Sequence, residues 1–493
     1  MRETDVLIVG AGISGMSLAR ELSKYEVRVT VIEKEADVSM GVSKTAGSLI
    51  YMGLFQALSL VIKDLGRGTD LEAETKNERM RLLWEGFSVF DQLAHDLDIQ
   101  HKHLGLLIIA RNDFELEKLK TLEHLSQFVP GGTVRWVDRD ELFAMEPNLT
   151  PDAVAGLYDS TGTISIFGPE YVYAVYENAC ANGVEVLLET ACRRIEKKNG
   201  YLLVRTSGGP IKARFVVNCA GKYADQVADM AKARSGWNLL FYRSQALLLD
   251  RKLEGTITNI VGVPPDAGKL DFLYPLGEGN IHVYGGYYDL IKEREFTETT
   301  HENFNDAIRR MKELVPVLSE EHIITSYVGV RIFNDKEYEE NLIEYSPTND
   351  NFINVLVRMP GFTPSPKIAE KVVGMMADKG LELNAKGNFI RYREGIPRFR
   401  FLSDEKRNEL IKADGSYGRV VCRCEIVTEG EIIEAIRRGA QTLQGIMFRT
   451  RAGMGRCQRN WCGPKLMSIL ARELGVPNKA LTFKGPGYSL LTG

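Results

Sequence analysis

Residues 5–9, Asp-Val-Leu-Ile-Val, run straight into Gly10-Ala11-Gly12-Ile13-Ser14-Gly15. This junction restricts what the chain can fold into more than any other feature. The apolar run has the pattern of a strand buried on both faces. Met16, Ala19 and Leu22 then recur at helical spacing, and Val27, Val29 and Val31 alternate with polar residues up to Ile32-Glu33. A strand, a glycine turn, a helix and a second strand ending in an acid make up a dinucleotide-binding unit. Gly10 permits the tight turn, Gly12 lets backbone approach a pyrophosphate, and Gly15 allows the helix to pack closely on the strand. The helix N-terminus, at Ile13 and Ser14, faces the phosphates, and Glu33, followed by Lys34, can accept hydrogen bonds from a ribose. A βαβ unit without ligand is the alternative, and this unit alone leaves FAD and NAD both open.

Further along, Gly41 to Ser48 is rich in small and hydroxyl residues, suited to close passage beneath a flat ligand; Ser43, Lys44, Ala46, Gly47 and Ser48 are its candidate cofactor contacts. A second buried strand, Arg214 to Asn218, ends in Cys219-Ala220-Gly221. Met359 to Pro366, with Gly361, Phe362 and Thr363, opens a helix carried by Ile368, Val372, Val373 and Met376. A helix N-terminus there could stabilise negative charge on a reduced flavin ring. The remaining composition is that of an ordinary globular chain: 44% apolar, 26% charged, net charge −4. No strong field draws it to nucleic acid or an anionic membrane. Val6 to Ala19, the longest nearly uncharged apolar stretch near the N-terminus, is shorter than the ~20 residues of a spanning helix. With Asp5 where a signal core should build, the expectation is a cytoplasmic protein without a transmembrane segment.

Taken in order, these segments resemble the FAD-dependent glycerol-3-phosphate dehydrogenase and L-2-hydroxyglutarate oxidase branch of the D-amino-acid-oxidase-like flavoproteins. The resemblance covers about residues 1–380 and includes Glu146 to Leu149, Gly162 to Asn178 and Tyr327 to Arg331. It implies an α/β fold: a discontinuous, Rossmann-like FAD domain (about 1–80, 145–225 and 325–390) with an inserted antiparallel-sheet substrate domain (about 81–144 and 226–324). It further implies that Cys192, Ala220 and Gly221 border the cofactor and that Arg331 clamps an anionic substrate group, which a guanidinium fork suits. Lys367 falls near the flavin-facing loop by the same likeness. In two places the chain departs from the family pattern. Tyr51 stands where relatives carry a histidine, and a tyrosine of ordinary pKa is a poor base at neutral pH. Arg243-Ser244-Gln245-Ala246 replaces a basic-Gly-Glu sequence.

The cysteines are unevenly spread. Cys422, Cys424, Cys457 and Cys462 lie in the last 72 residues, whereas Cys180, Cys192 and Cys219 are scattered before them. An odd, uneven set is no disulfide framework. Thr428 with Glu431 makes a capping box for one helix, closed by Gly439. A second begins near Pro464 and stops at Gly475, which puts Cys462 at its N-terminus, where thiolate charge is stabilised. Four cysteines fit zinc, an iron–sulfur cluster or a redox dithiol, although a Cys-x-Cys arm followed by Cys-x4-Cys is less natural for zinc. Residues 420–474 resemble the helical [2Fe-2S] module of bacterioferritin-associated ferredoxin, which implies a metal domain over 418–476. Residues 391–417, dense in charge, read as a solvated tether, and 477–493 as a tail.

The remaining candidates are structural. Cys180 and Cys219 read as core, Met80, Leu83, Phe87, Phe90, Ala94 and Leu97 as one core helix face, and His101 and His103 are not expected to bind metal. Tyr284, Tyr287 and Tyr288 follow a strand and are candidate pocket walls. The expected enzyme is an FAD-dependent dehydrogenase. It would take hydride from a small anionic 2-hydroxy acid or a glycerol-3-phosphate-like alcohol and pass electrons through a [2Fe-2S] cluster to an electron-acceptor protein or to a companion flavoprotein subunit of a hetero-oligomer. An amine or amino-acid dehydrogenase and a non-catalytic electron-transfer subunit are the alternatives.

Overall fold

In the computed structural model, residues 1–64, 71–265, 271–336 and 341–491 are described. Two sheets and a helical module organise them. In the first sheet, Arg2–Val9 lies between Val29–Ile32 and Gly209–Asn218, parallel to both, with Val6 opposite Val29 and Phe215 and Ile8 opposite Val31 and Val217. Glu185–Leu187 extends one side in parallel, Asn349–Leu356 the other, and Leu342–Ser346 closes the edge antiparallel. Both faces of the central strand are covered, which is why its sequence does not alternate. Val6, Ile8, Val29 and Val31 pack with Met16, Ala19, Val372 and Met376 from helices Ile13–Leu22 and Ser365–Asp378. On the opposite face, Leu7, Val9 and Val216 meet Val204 and Val227.

The second sheet runs in the order Ile323–Asn334, Leu239–Leu249, Ile281–Ile291, Asp271–Pro275, Ile260–Gly262, His101–Ala110, Ala155–Ile166, Leu49–Tyr51, with Val134–Asp138 beside Ala155–Ile166. It is antiparallel except where Ile260–Gly262 joins His101–Ala110 in parallel. Its strands come from more of the chain than the sequence pattern suggests. Leu49–Tyr51, Ala155–Ile166 and Ile323–Asn334 all belong to it, although most of their residues fall in segments expected to build the nucleotide domain. Crossing between sheets inside those segments is what places the loop 41–48 and Arg331 at their junction.

The C-terminal module holds three helices, Glu429–Arg437, Leu443–Thr450 and Gly463–Leu474, one more than the two expected. Leu443–Thr450 is short and escapes periodicity. The capping box of Thr428 and Glu431 and the left-handed stop at Gly475 are both present. Ile432, Ile446, Leu466 and Leu470 form the core of the module.

Residues 391–417 are not a solvated tether. Arg393 binds Glu177 (2.7 Å), Arg398 binds Glu170 (3.2 Å), and Arg400 pairs with both Glu278 and Glu425. Ile396 and Phe399 are buried, so the segment is a strap that fastens the module to both sheets. Arg449 forms a fully buried ion pair with Asp37, its guanidinium 4.0 Å from the Tyr173 ring centroid. Among the described residues, no helix is long and apolar enough to cross a membrane.

Candidate active site and cluster site

A cavity of about 840 Å³ opens where the two sheets meet, within the range of small-molecule and cofactor sites. Its floor is the glycine turn. Gly10 has φ +109°, and a Cβ there would lie 2.5 Å from the Cys219 carbonyl oxygen. Gly15 lies outside the cavity, where its lack of a Cβ lets the helix sit on the Gly10 carbonyl. Glu33 accepts from the amides of Ala11 (2.9 Å) and Glu35 (3.0 Å), and burial pushes its carboxyl up. Ser43 Oγ accepts from the Ile13 amide at 3.1 Å, tying the loop 41–48 to the helix start.

Of the residues singled out in the sequence, Gly10, Gly12, Ile13, Ser14, Glu33, Lys34, Ser43, Lys44, Ala46, Gly47, Cys192, Ala220, Gly221, Gly361, Phe362, Tyr51 and Arg331 all line this cavity. Three do not. Lys367, half-buried on helix Ser365–Asp378, pairs with Glu370 at 2.9 Å instead of lining the cavity, so a catalytic role does not fit its position. Ser48 Oγ instead accepts from the Gly168 amide (3.3 Å), and Thr363 Oγ1 accepts from the Tyr51 amide (3.2 Å); both shape the wall from behind. Tyr284 lines the cavity, while the side chains of Tyr287 and Tyr288 lie outside the described residues.

Arg331 is buried on strand Ile323–Asn334, and its Nη2 donates to the Thr45 carbonyl at 2.8 Å. The same loop receives Tyr274 Oη, which donates to the Gly47 carbonyl at 2.6 Å and touches His282 Nδ1; His282 Nε2 is 2.7 Å from Tyr327 Oη. This buried Tyr–His–Tyr chain was not legible in the sequence, where Tyr274, His282 and Tyr327 sit on three strands without a shared motif. Burial first, and Arg331 second, push the His282 pKa to about 3, so the ring stays neutral. Burial also raises Tyr51 to about 12, which keeps it a phenol at neutral pH and no general base. Cys180 and Cys192 are pushed up to about 11 and Cys219 to about 12, in each case by burial first, so none is a nucleophile.

His101 and His103 meet Asp91, with His103 Nε2 3.0 Å from its carboxylate. The three ligand atoms are close enough for a cation, but all three residues are exposed.

In the module, Cys422 and Cys462 are buried, whereas Cys424 and Cys457 are half-exposed. Their thiols fall into two hydrogen-bonded pairs, Cys422 with Cys462 and Cys424 with Cys457. The bond from Cys462, reinforced by the amides of Gly453 (3.4 Å) and Glu425, lowers Cys422. A Cβ at Gly455 would lie 2.4 Å from Cys424 Cβ, so only glycine lets this loop close around the sulfurs. Among the described residues, no three of the cysteine sulfurs come within 4.8 Å of one another. Four cysteines converging with backbone amides that donate to sulfur would fit a [2Fe-2S] group.

Residues 5–375 match the family model "FAD dependent oxidoreductase" (DAO), and residues 420–472 match "BFD-like [2Fe-2S] binding domain". The glycerol 3-phosphate dehydrogenase of Caloramator mitchellensis is 34% identical over 99% of this chain and 98% of its own length. The glycerol 3-phosphate oxidase of Mycoplasma genitalium is 25% identical over 79% of this chain and 98% of its own. The FAD-bound L-α-glycerophosphate oxidase structure from Mycoplasma pneumoniae aligns with a TM-score of 0.70 at 23% identity, covering 80% of this chain and all of that one.

Proposed function

Because the chain belongs to the FAD-dependent oxidoreductase (DAO) family and ends in a BFD-like [2Fe-2S] domain, we propose that it oxidises glycerol 3-phosphate and delivers the electrons to a partner redox protein. The site supports oxidation of the secondary alcohol to the ketone. The observation that carries the substrate class is Arg331, a buried guanidinium in the wall of the cavity between the two sheets. An anion there gains charge-assisted, bidentate hydrogen bonds in surroundings of low dielectric. The likeness over 98% of its length to the glycerol 3-phosphate dehydrogenase of Caloramator mitchellensis favours a phosphate over a carboxylate as that anion.

FAD, when bound, supplies the acceptor for the hydride, and the cluster, when bound, supplies one-electron exits. The chain's own residues do the rest. Arg331 anchors the phosphate and thereby fixes the alcohol carbon, while Leu49, Phe55, Phe272 and Val328 keep water from it. The alcohol proton leaves through Tyr274 Oη. That hydroxyl turns from the Gly47 carbonyl to His282 Nδ1 while Nε2 passes its proton to Tyr327, which is half-buried and returns one to solvent. Concerted movement avoids an imidazolium, in keeping with the low pKa of His282. The small net charge, −4, and the absence of a membrane-spanning helix among the described residues favour a cytoplasmic site of action.

The test is anaerobic reduction of the bound flavin by glycerol 3-phosphate, 2-hydroxy acids and secondary amino acids in turn. Bleaching by glycerol 3-phosphate is expected, with Arg331→Ala weakening its half-saturation on the order of 100-fold. Bleaching by amino acids alone would overturn the reading in favour of an amine dehydrogenase. No bleaching by any of them would assign the chain to electron transfer only.

A further inference from the structure

The chain continues past helix Gly463–Leu474, beyond the reach of either family match. Leu481 is buried in the core of the cluster module, and the carbonyls of Thr482 and Phe483 accept from the Leu443 (3.2 Å) and Gln444 (2.8 Å) amides. These amides open helix Leu443–Thr450, whose Arg449 binds Asp37. The tail then folds back in a tight turn, with the Phe483 amide donating to the Tyr488 carbonyl at 2.8 Å. Gly485, at φ +118°, lies against Ala36; a Cβ there would be 2.8 Å from the Ala36 Cβ. The turn is therefore held from both sides, by the cluster module and by the loop just after Glu33.

Its two outward side chains, Lys484 and Tyr488, both line the flavin cavity, with Nζ 3.9 Å from the ring centroid. They stand at the nucleotide end, with Glu33, Glu35 and Lys44, rather than near Arg331. Other lysines at this end are neutralised: Lys34 by Glu35 (3.2 Å) and Lys222 by Glu295 (2.8 Å). Lys44 and Lys484 form no ion pair among the described residues. Burial first, and Lys484 next, lower the Lys44 amine to about 8, so the two amines are near enough to repel each other. A dinucleotide threaded over Gly12 would bring its diphosphate to this place.

We propose that the C-terminal turn is part of the flavin site, with Lys484 and Lys44 both holding the FAD diphosphate and Tyr488 covering the nucleotide end. The turn is anchored in the cluster module, so cofactor retention and docking of that module form one linked equilibrium. Which alcohol is oxidised does not enter this argument, and the two readings fail separately.

The experiment uses the full chain with its cluster intact, stripped of FAD and titrated with FAD and then with ADP, which carries the diphosphate without the flavin ring. Lys484→Ala is expected to weaken FAD and ADP by the same factor, about tenfold. Lys484→Glu should weaken both further, and Lys484→Arg should restore them. Iron content and the half-saturation for glycerol 3-phosphate should stay within twofold. If Lys484→Glu binds both nucleotides as tightly as the parent chain, the clamp is wrong. If it weakens FAD but not ADP, or shifts only the alcohol's half-saturation, the diphosphate assignment is overturned.

Discussion

At the scale of single residues, the flavin site depends on backbone geometry that only glycine supplies. Gly10 combines φ +109° with a Cβ position 2.5 Å from the Cys219 carbonyl oxygen and 2.9 Å from its carbon. Both obstructing atoms are backbone of the residue that directly follows the adjoining parallel strand Gly209–Asn218, so neither can swing aside as a side-chain tip would. Gly10→Ala is expected to destabilise the turn by about 2–4 kcal/mol and to leave the purified protein with a tenth or less of its flavin. None of the four cysteines of the module lies in this turn, so the iron content should be unchanged, and the flavin-to-iron ratio measures the effect; a normal ratio would refute it. Such a residue is legible in a bare sequence because its role is local, a fixed glycine between a strand and a helix. Arg331 was legible only through resemblance to a family. Tyr274, His282 and Lys484 were not legible, because each reaches the cavity through partners more than a hundred residues away or on another strand.

At the scale of elements, the docking of the cluster module turns on charges whose sequence pattern suggests the opposite. Arg393, Arg398 and Arg400 look like a solvated run, since nothing nearby in the chain pairs with them. Their acids, Glu177, Glu170 and Glu278, come from helix Gly168–Ala181 and the turn before Ile281–Ile291. Helix Leu443–Thr450 was missed for a related reason: at eight residues it is too short for a periodic signal, and the Asp37 it needs lies 412 positions away. Arg449 and Asp37 expose 1% and 2% of their side chains, so removing one leaves the other buried and uncompensated. Arg449→Ala should cost about 3–5 kcal/mol at this interface, whereas replacing both residues with leucine should recover much of the loss. Proteolysis of the strap at residues 391–417 reads the difference. The single variant should be cut at least tenfold faster than the double, and equal rates would mean that the ion pair does not hold the module.

At the scale of the whole molecule, the two cofactor sites are joined by continuous packing rather than by a flexible linker. Phe362 lines the flavin cavity and lies so close to Gly168 that a Cβ there would be 2.9 Å from its ring. The neighbouring Phe167 ring centroid is 5.1 Å from the Arg451 guanidinium, and two residues on the Gly453 amide donates to Cys422 Sγ. Met454 packs against the cores of both the nucleotide domain and the module. Such a path makes the two half-reactions separable. On the proposed function, alcohol oxidation takes place in the cavity that Arg331 lines, and discharge to a one-electron acceptor goes through the cluster. Cys457 is half-exposed, while Cys422 and Cys462 pack inside the module, so Cys457→Ser is the ligand change least damaging to the fold. In rapid mixing without oxygen, the variant's flavin should be reduced by glycerol 3-phosphate within threefold of the parent rate. Steady turnover with a one-electron acceptor protein should fall at least tenfold, together with loss of iron. Slowing of the first step would mean that the cluster shapes the substrate site. Undiminished turnover without iron would mean that electrons leave the flavin directly, and the module would then be a structural cap whose role is to hold the C-terminal turn over the cofactor.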